Sequence, residues 1–396
     1  VFTSRIRGGK ASGDFPRAQA RSRSAEGAWL RERTAAYQEL RDHWTDFFFT
    51  HGIKVYLTWF KYNEWHCAIA DALERLGGVT AIYQRAYEDI PTPTAIVHAD
   101  IVFGFSRATA EMERRAHSVI PYHVTVGYPG DHRFPLLRDR AGRIRQALHA
   151  HGAERILAFA DESSLGNPHL FLDHQSQQEN YRFLLEKLLE EPWLGLVIKP
   201  KAPANLQWRL GEVAELLKRA TATGRCYVFE EGRLQGSYPP AAAALAADLA
   251  VYGHLFGGTA GLETALAGVP TLLLDREGWP VSALYRLGVG RVVFTEWDAL
   301  WKACVEHWAR PGGVPGFGDW SPMLDELDPF RDGRAAERIG TYVQWLLEGF
   351  RAGLGRETVM ADAAERYGAL WGREHIAHVS AEPAAPCHAA AQVHAA

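Results

Sequence analysis

The stretch Asp248-Leu-Ala-Val-Tyr-Gly-His-Leu-Phe-Gly-Gly-Thr-Ala-Gly-Leu-Glu-Thr-Ala-Leu-Ala-Gly-Val-Pro-Thr-Leu-Leu-Leu-Asp275 reads as a short strand, a glycine-rich turn at Gly257, Gly258 and Thr259, a helix, and a second buried strand. That order sets exposed backbone N–H groups and the positive end of a helix at the tip of a sheet, where a phosphate fits. Gly257 and Gly258 let the chain turn tightly and let an anion approach without a Cβ in the way. Glu263 falls in the first turns of the helix, within reach of a ribose hydroxyl. Gly268-Val269-Pro270 ends the helix, and Thr271 to Leu274 is apolar enough for a strand buried on both faces. A βαβ turn without a ligand uses the same glycines, so the motif fixes topology before it fixes function.

Upstream, Trp29 to His51 is patterned as a helix stopping at Gly52, and Ile53 to Thr58 as a strand. Helix Trp65 to Leu76, strands Val79 to Gln84 and Ala99 to Gly104, and a helix holding Glu111 to Ala116 follow. Leu136 to Gly152 is a charged helix joining two halves. A second series runs through strand Arg155 to Ala160, helix Glu179 to Glu190, strand Leu194 to Lys199, helix Leu206 to Thr221 and strand Cys226 to Phe229. Beyond the quoted stretch come helix Ser282 to Leu287, strand Arg291 to Phe294 and helix Trp297 to Trp308, and two last helices close the chain. This alternation predicts parallel sheets with helices on both faces, so the fold class is α/β with two Rossmann-like domains facing a cleft. The expected divisions are a disordered basic tail over 1–28, an N-terminal domain over 29–150 and a C-terminal domain over 151–332. Closing helices over 333–375 and a disordered tail over 376–396 complete the chain.

With 396 residues there is enough chain for two cores. The net charge of −4 and the absence of an extended basic surface argue against nucleic acid as a partner. Arg5, Arg7, Lys10, Arg17, Arg21 and Arg23 make a polar basic start, whose minor alternative to disorder is weak attraction to anionic lipid. The four cysteines, Cys67, Cys226, Cys304 and Cys387, have no paired spacing, which fits a reducing cytoplasm and makes no zinc site. No apolar run approaches the roughly 20 residues needed to cross a bilayer.

In open α/β sheets ligands bind beyond the carboxyl ends of the strands. In the second half those loops carry Asp161-Glu162-Ser163-Ser164, then Lys199-Pro200-Lys201, then the turn around Gly258. Lys199 and Lys201 suit a diphosphate, because cations stabilise the charge that builds on a leaving nucleotide; a solvated loop is the plainer alternative. Asp161 is a candidate catalytic carboxylate, or one of a pair capping a helix. In the first half, Thr58-Trp-Phe-Lys-Tyr-Asn-Glu-Trp-His66 offers aromatic faces for a sugar ring, with Glu64 or His66 to accept a proton from an acceptor hydroxyl. The same aromatics serve equally as core, with Glu64 as a helix N-terminal acid.

Asp248 to Asp275 resembles the nucleotide-sugar motif of GT-B-fold glycosyltransferases and of their relative, UDP-N-acetylglucosamine 2-epimerase. Asp328-Pro-Phe-Arg-Asp-Gly-Arg-Ala-Ala-Glu-Arg-Ile339 is similar to the Asn-Pro-Tyr-Gly-Asp-Gly-Lys-Ala-type segment near the end of those epimerases. From Gly52 to Trp371 the chain resembles a group of bacterial surface-polysaccharide biosynthesis proteins. Gly77-Gly78, Tyr83-Gln84-Arg85, Leu194 to Lys201, Gly258 to Glu263 and Asp328 to Gly333 carry that likeness. The resemblance implies a GT-B fold, with a nucleotide-sugar on the C-terminal domain and a glycan or lipid-linked acceptor on the N-terminal one. It implies Gly258, Thr259 and Ala260 against the diphosphate, framed by Gly257 and Gly261, and Glu263 on the ribose. It implies no cofactor and no metal, and no Asp-x-Asp element suggests one. It implies work in the cytoplasm, with peripheral contact at the inner membrane face as an option.

The sequence departs from that pattern in three places. The residue eight after Glu263 is Thr271, so the Glu-x7-Glu pair common in retaining GT-B enzymes is missing. The first half has no Gly-x-Gly-x-x-Gly. The epimerases' opening Gly-Thr-Arg-Pro-Glu segment is also missing, since the first strand here runs into Thr58-Trp-Phe-Lys61. That loss favours glycosyl transfer over epimerisation, with an epimerase or hydrolase, or a non-catalytic nucleotide-sugar-binding scaffold, as the alternatives.

Overall fold

A computed structural model describes residues 24–62, 65–91, 96–164, 173–232, 236–255 and 258–379; Glu64 and Gly257 lie outside them. Helix α1 (Ala25–His51) starts where the Ser24 hydroxyl accepts from Gly27 N at 3.2 Å, so residues 25–28 belong to the helix and not to a tail. It ends at Gly52, whose φ of 62° returns the chain toward strand β1 (Val55–Thr58). Helix α2 (Trp65–Arg75) packs Ile69, Ala72 and Leu73 under Phe48 of α1. Strands β2 (Val79–Tyr83) and β3 (Ile101–Gly104), helix α3 (Arg107–Arg115) and strand β4 (Ile120–Thr125) complete the series. The four strands are parallel and lie in chain order.

Helix α4 (Phe134–Ala150) leads to the second half. There β5 (Arg155–Ala160), α5 (His174–Glu190), β6 (Leu194–Lys199), α6 (Leu206–Leu210), α7 (Val213–Ala222) and β7 (Cys226–Val228) wind in one direction. The single helix expected over Leu206 to Thr221 is split into α6 and α7 at Gly211, whose φ is 53°. A short antiparallel ribbon, β8 (Glu231–Gly232) with β9 (Gly236–Ser237), precedes α8 (Pro240–Ala244). Then β10 (Leu249–Tyr252), α9 (Thr259–Leu266), β11 (Thr271–Leu274) and β12 (Val293–Phe294) continue on the other side of β5. The order β12-β11-β10-β5-β6-β7 is parallel throughout and reverses between β5 and β10. Such a switch point opens a crevice beyond the carboxyl ends of the two central strands. The first sheet has no reversal, so topology puts the crevice on the second.

After α10 (Trp297–Ala309) and α11 (Ser321–Leu327) the chain crosses back, and α12 (Ala335–Arg351) and α13 (Arg356–Trp371) cover the first sheet. Ile339, Tyr342, Leu346, Met360 and Tyr367 pack there on Val79, Ile101, Phe103 and Val124. The closing helices therefore complete the N-terminal core. Residues 376–379, expected within a disordered tail, form strand β13 (Ile376–Val379), paired antiparallel to β4. Pairing with β4 covers an edge that would otherwise present free backbone groups.

The crossing is built by the segment from Asp328. Its carboxylate, fully buried, accepts from Tyr128 N at 2.9 Å, Phe330 N at 3.0 Å and Arg331 N at 3.1 Å. Gly127 has φ +87°, and a Cβ there would stand 2.9 Å from Asp328 Oδ1, so glycine is required beside this clamp. Arg338 pairs with Asp332, donates to Val126 O at 3.2 Å and lies 3.6 Å over the Phe330 ring, while Arg334 pairs with Glu337. In this structure Arg338 serves the joint between the halves, and the Arg334 pair is exposed on α12. No described helix is long and apolar enough to cross a membrane.

Candidate functional site

The switch point brings together the loops after β5, β6 and β10. Asp161 follows β5 directly, and its buried carboxylate accepts from Gln177 Nε2 and Tyr181 Oη, each at 2.8 Å, and from Lys201 N. The Arg209 guanidinium, equally buried, stands 3.4 Å away and also holds Asn205 Oδ1 at 3.0 Å and Ala202 O at 3.2 Å. Burial pushes the Asp161 carboxyl up, opposed first by Arg209. With that set of donors Asp161 fixes the β6 loop in place. Its neighbour Glu162 accepts from Tyr252 Oη at 3.2 Å and pairs with the Lys201 ammonium, which is half exposed.

Lys199, the last residue of β6, is buried. Burial lowers its ammonium's proton affinity, while the carboxylates of Asp161, Glu263 and Glu162 work the other way. Lys199 and Lys201 thus stand at one end of the sheet among three carboxylates, a setting that an incoming polyanion would change.

Gly258 immediately precedes α9. A Cβ on it would lie 2.8 Å from Leu284 Cδ1 and 3.7 Å from Tyr87 Cδ1, so the turn is packed against both halves of the molecule. The Thr259 hydroxyl accepts from Tyr87 N at 2.7 Å. Ala260 follows, half-buried. Gly261 has a packing role, because a Cβ there would stand 2.7 Å from Leu273 Cδ2 on β11 and 3.3 Å from Trp320. Glu263 is buried one turn further on. It accepts from Ala241 N at 2.9 Å and from the Tyr128 hydroxyl of the first half, and burial raises its carboxyl.

Tyr87 and Tyr128, which the sequence did not single out as partners of this motif, join Phe105 in packing on Tyr252, Leu255, Leu262 and Leu284. Asp89 adds a polar tie, accepting from Ala283 N at 2.9 Å and from the Ser282 hydroxyl. The first half therefore closes directly on the first turn of α9.

On the first half, Lys61 is buried between Glu88 at 2.7 Å and Glu113 at 2.9 Å, and Tyr62 donates to Glu88 at 3.0 Å. Trp59, with Arg85 stacked 4.2 Å over its ring, lines a small cavity beside this triad at the ends of β1 and β2. The structure puts His66 on α2, buried, with Nε2 3.4 Å from His98 N and 3.4 Å from Cys67 Sγ. His66 is thus held against its own half.

The β10 loop holds one more arrangement. His254 Nδ1 lies 2.7 Å from Glu277 Oε1, and Leu255 N donates to Glu277 Oε2 at 3.2 Å. Both side chains are buried, at 3% and 1% exposure, and His254 Nε2 has no hydrogen-bond partner among the described residues. Sequence reading passed over this pair, because Glu277 is on a different loop from His254. The available signal was a histidine at the end of the strand that precedes the glycine turn.

No protein-family model and no curated protein matches the sequence. Solved structures do match its fold. The S. aureus MnaA–UDP co-structure superposes with a TM-score of 0.53 at 13% identity, covering 80% of this chain and 82% of that one. Neisseria meningitidis UDP-GlcNAc 2-epimerase bound to UDP-GlcNAc gives 0.49 at 12% identity, over 79% and 81%. The wall teichoic acid polymerase TagF gives 0.45 at 10% identity, over 79% and 74%. The fold is GT-B, two Rossmann-like domains with closing helices.

Proposed function

We propose that this chain is a glycosyltransferase that binds a nucleotide-sugar on its C-terminal half and transfers the sugar to a glycan or lipid-linked acceptor held by its N-terminal half. The observation that carries the reading is the switch-point crevice. It gathers Lys199, Lys201 and the start of α9 at one sheet end, with the first half seated against it. The MnaA structure of the same fold holds UDP, which supports a nucleotide as the ligand here. In this reading Lys199, Lys201 and the backbone around Gly257, Gly258, Thr259 and Ala260 neutralise the departing diphosphate, and Glu263 serves the ribose. For Glu263 to do so, it must exchange the Tyr128 hydroxyl for a sugar hydroxyl.

The protein lowers the barrier by orienting both substrates and stabilising the leaving group. Glu64 is the first choice of base for an inverting transfer. His66 is second, because its Nε2 already accepts from His98 N. Asp161 acts by position, holding the β6 loop through Lys201 N. The setting we propose is bacterial surface-polysaccharide assembly in the cytoplasm, at the inner membrane face.

Incubation with each nucleotide-sugar, with and without short glycan or lipid-linked acceptors, followed by NMR of the products, tests this. Acceptor-dependent release of nucleotide with a new glycosidic linkage is expected. A rearranged or free sugar formed without acceptor would make the protein an epimerase or hydrolase, and tight binding with no turnover would make it a scaffold.

A further inference from the structure

His254 stands two residues beyond the end of β10 and four before Gly258, on the loop that follows the strand bordering β5 at the switch point. Its Nδ1 is committed to Glu277, whose other oxygen is taken by Leu255 N. The opposite ring nitrogen, Nε2, is buried without a partner among the described residues. A buried polar atom left unsatisfied is disfavoured by about 1–3 kcal/mol, so native structures seldom keep one that nothing completes. Asn180 Nδ2, on α5, is likewise buried and unpartnered among the described residues, and lies 3.3 Å from where a Cβ on the neighbouring Gly253 would be.

The chemistry of the pair narrows what completes it. With Nδ1–H donated to Glu277, a neutral imidazole offers only a lone pair at Nε2, which repels an anion. On taking a proton it becomes a donor, and the carboxylate behind it stabilises the imidazolium. The charged groups around it are Glu277 on the β11 loop and, beyond the Tyr252 ring, Glu162 with Asp161 and Lys201 on the β5 and β6 loops. Arg276, next to Glu277, is turned to Glu179 on α5 at 2.8 Å. We propose that His254, oriented by Glu277, is a binding residue for the diphosphate of the donor, taking up one proton from solvent as the diphosphate arrives and donating from Nε2 to a phosphate oxygen. The inference rests on the nucleotide-sugar reading and adds to it a residue and a proton; no covalent bond to the sugar is made or broken in this step.

Calorimetric titration of the full chain with UDP, CDP, GDP and inorganic pyrophosphate, in two buffers of different ionisation enthalpy, reads affinity and proton uptake together. Wild type is expected to bind a nucleoside diphosphate with uptake of about one proton. His254→Gln and Glu277→Gln are expected to weaken binding by about tenfold or more and to abolish the uptake. Circular dichroism checks that each variant is folded, and if His254→Gln is not, Glu277→Gln decides. Variants that bind with wild-type affinity and proton uptake would overturn the inference and leave a trapped water as the partner of Nε2. Wild type that binds none of the four probes would overturn the nucleotide-sugar reading itself, and this inference with it.

Discussion

The backbone N–H of Tyr87 donates to the Thr259 hydroxyl at 2.7 Å, so the loop after β2 is bonded to the first residue of α9. A hydroxyl that opens the glycine-turn helix is thereby spent on the other half of the molecule. Replacing it tests how much this tie holds the halves together. Thr259→Val keeps the shape and removes the acceptor, and is expected to lower stability by about 1 kcal/mol in urea unfolding. An unchanged midpoint would mean that the apolar seam around Tyr87 and Leu284 carries the contact by itself.

Asp161 is read here as a positioning carboxylate. Asp161→Ala leaves the Arg209 guanidinium buried without its counter-ion and frees Lys201 N. Breaking a buried pair by removing one partner costs about 3–5 kcal/mol, whereas an exposed pair contributes about 0–1. Asp161→Ala should therefore unfold at much lower urea than wild type, and Lys201→Ala, which breaks the half-exposed pair with Glu162, should barely move. Equal effects would contradict the hub at Asp161.

His123 lies in β4, fully buried, with neither ring nitrogen bonded among the described residues. Burial holds its imidazole down to about 4, against an ordinary value of 6.5. Between those values the unfolded chain binds the proton and the folded one does not. The stability contributed is complete above about pH 6.5, falls as pH is lowered, and is lost by about pH 4, a total of about 3 kcal/mol. His123→Leu should flatten the urea-midpoint profile over that range. A profile as steep as wild type would assign the acid sensitivity to other groups.

Lys199 and Lys201 differ in burial, and their variants should differ in binding. Lys199→Met removes a buried cation from the midst of Asp161, Glu162 and Glu263, so a diphosphate would meet three carboxylates with less to offset them. Fluorescence or calorimetric titration should show a loss of about tenfold or more, the scale of a charged hydrogen bond. Lys201→Met should lose less, because its half-exposed ammonium is screened by solvent. The reverse order would move the phosphate outward, to the exposed lysine.

Much of the fold was legible because it is written locally. Apolar runs such as Leu194 to Lys199 and Thr271 to Leu274 can bury both faces only in a parallel sheet, and glycine stops at Gly52 and Gly268 mark helix ends. What sequence reading missed depends on contacts between distant segments. Strand β13 reads as tail because only β4 makes it a strand. The break of Leu206 to Thr221 into two helices had a local signal, Gly211, whose φ is 53°. At the site, the lysines after β6 and the turn at Gly258 follow from strand ends and glycines. The seam formed by Tyr87 and Tyr128, the Asp161–Arg209 pair and the His254–Glu277 pair join residues 172, 135, 48 and 23 positions apart, and no local pattern announces them.

Thermal unfolding of the purified chain with millimolar UDP-, GDP-, CDP- and CMP-linked sugars shows whether it binds a nucleotide-sugar at all. A ligand bound only by the folded state at about 100 times its dissociation constant adds about 2.7 kcal/mol, enough to raise the melting temperature measurably. A clear rise with one nucleotide class is expected, and loss of that rise in Gly258→Val, where the new side chain must displace Leu284 beside the glycine turn. No rise with any of the four, or a rise that Gly258→Val retains in full, would contradict a nucleotide-sugar bound at the switch point.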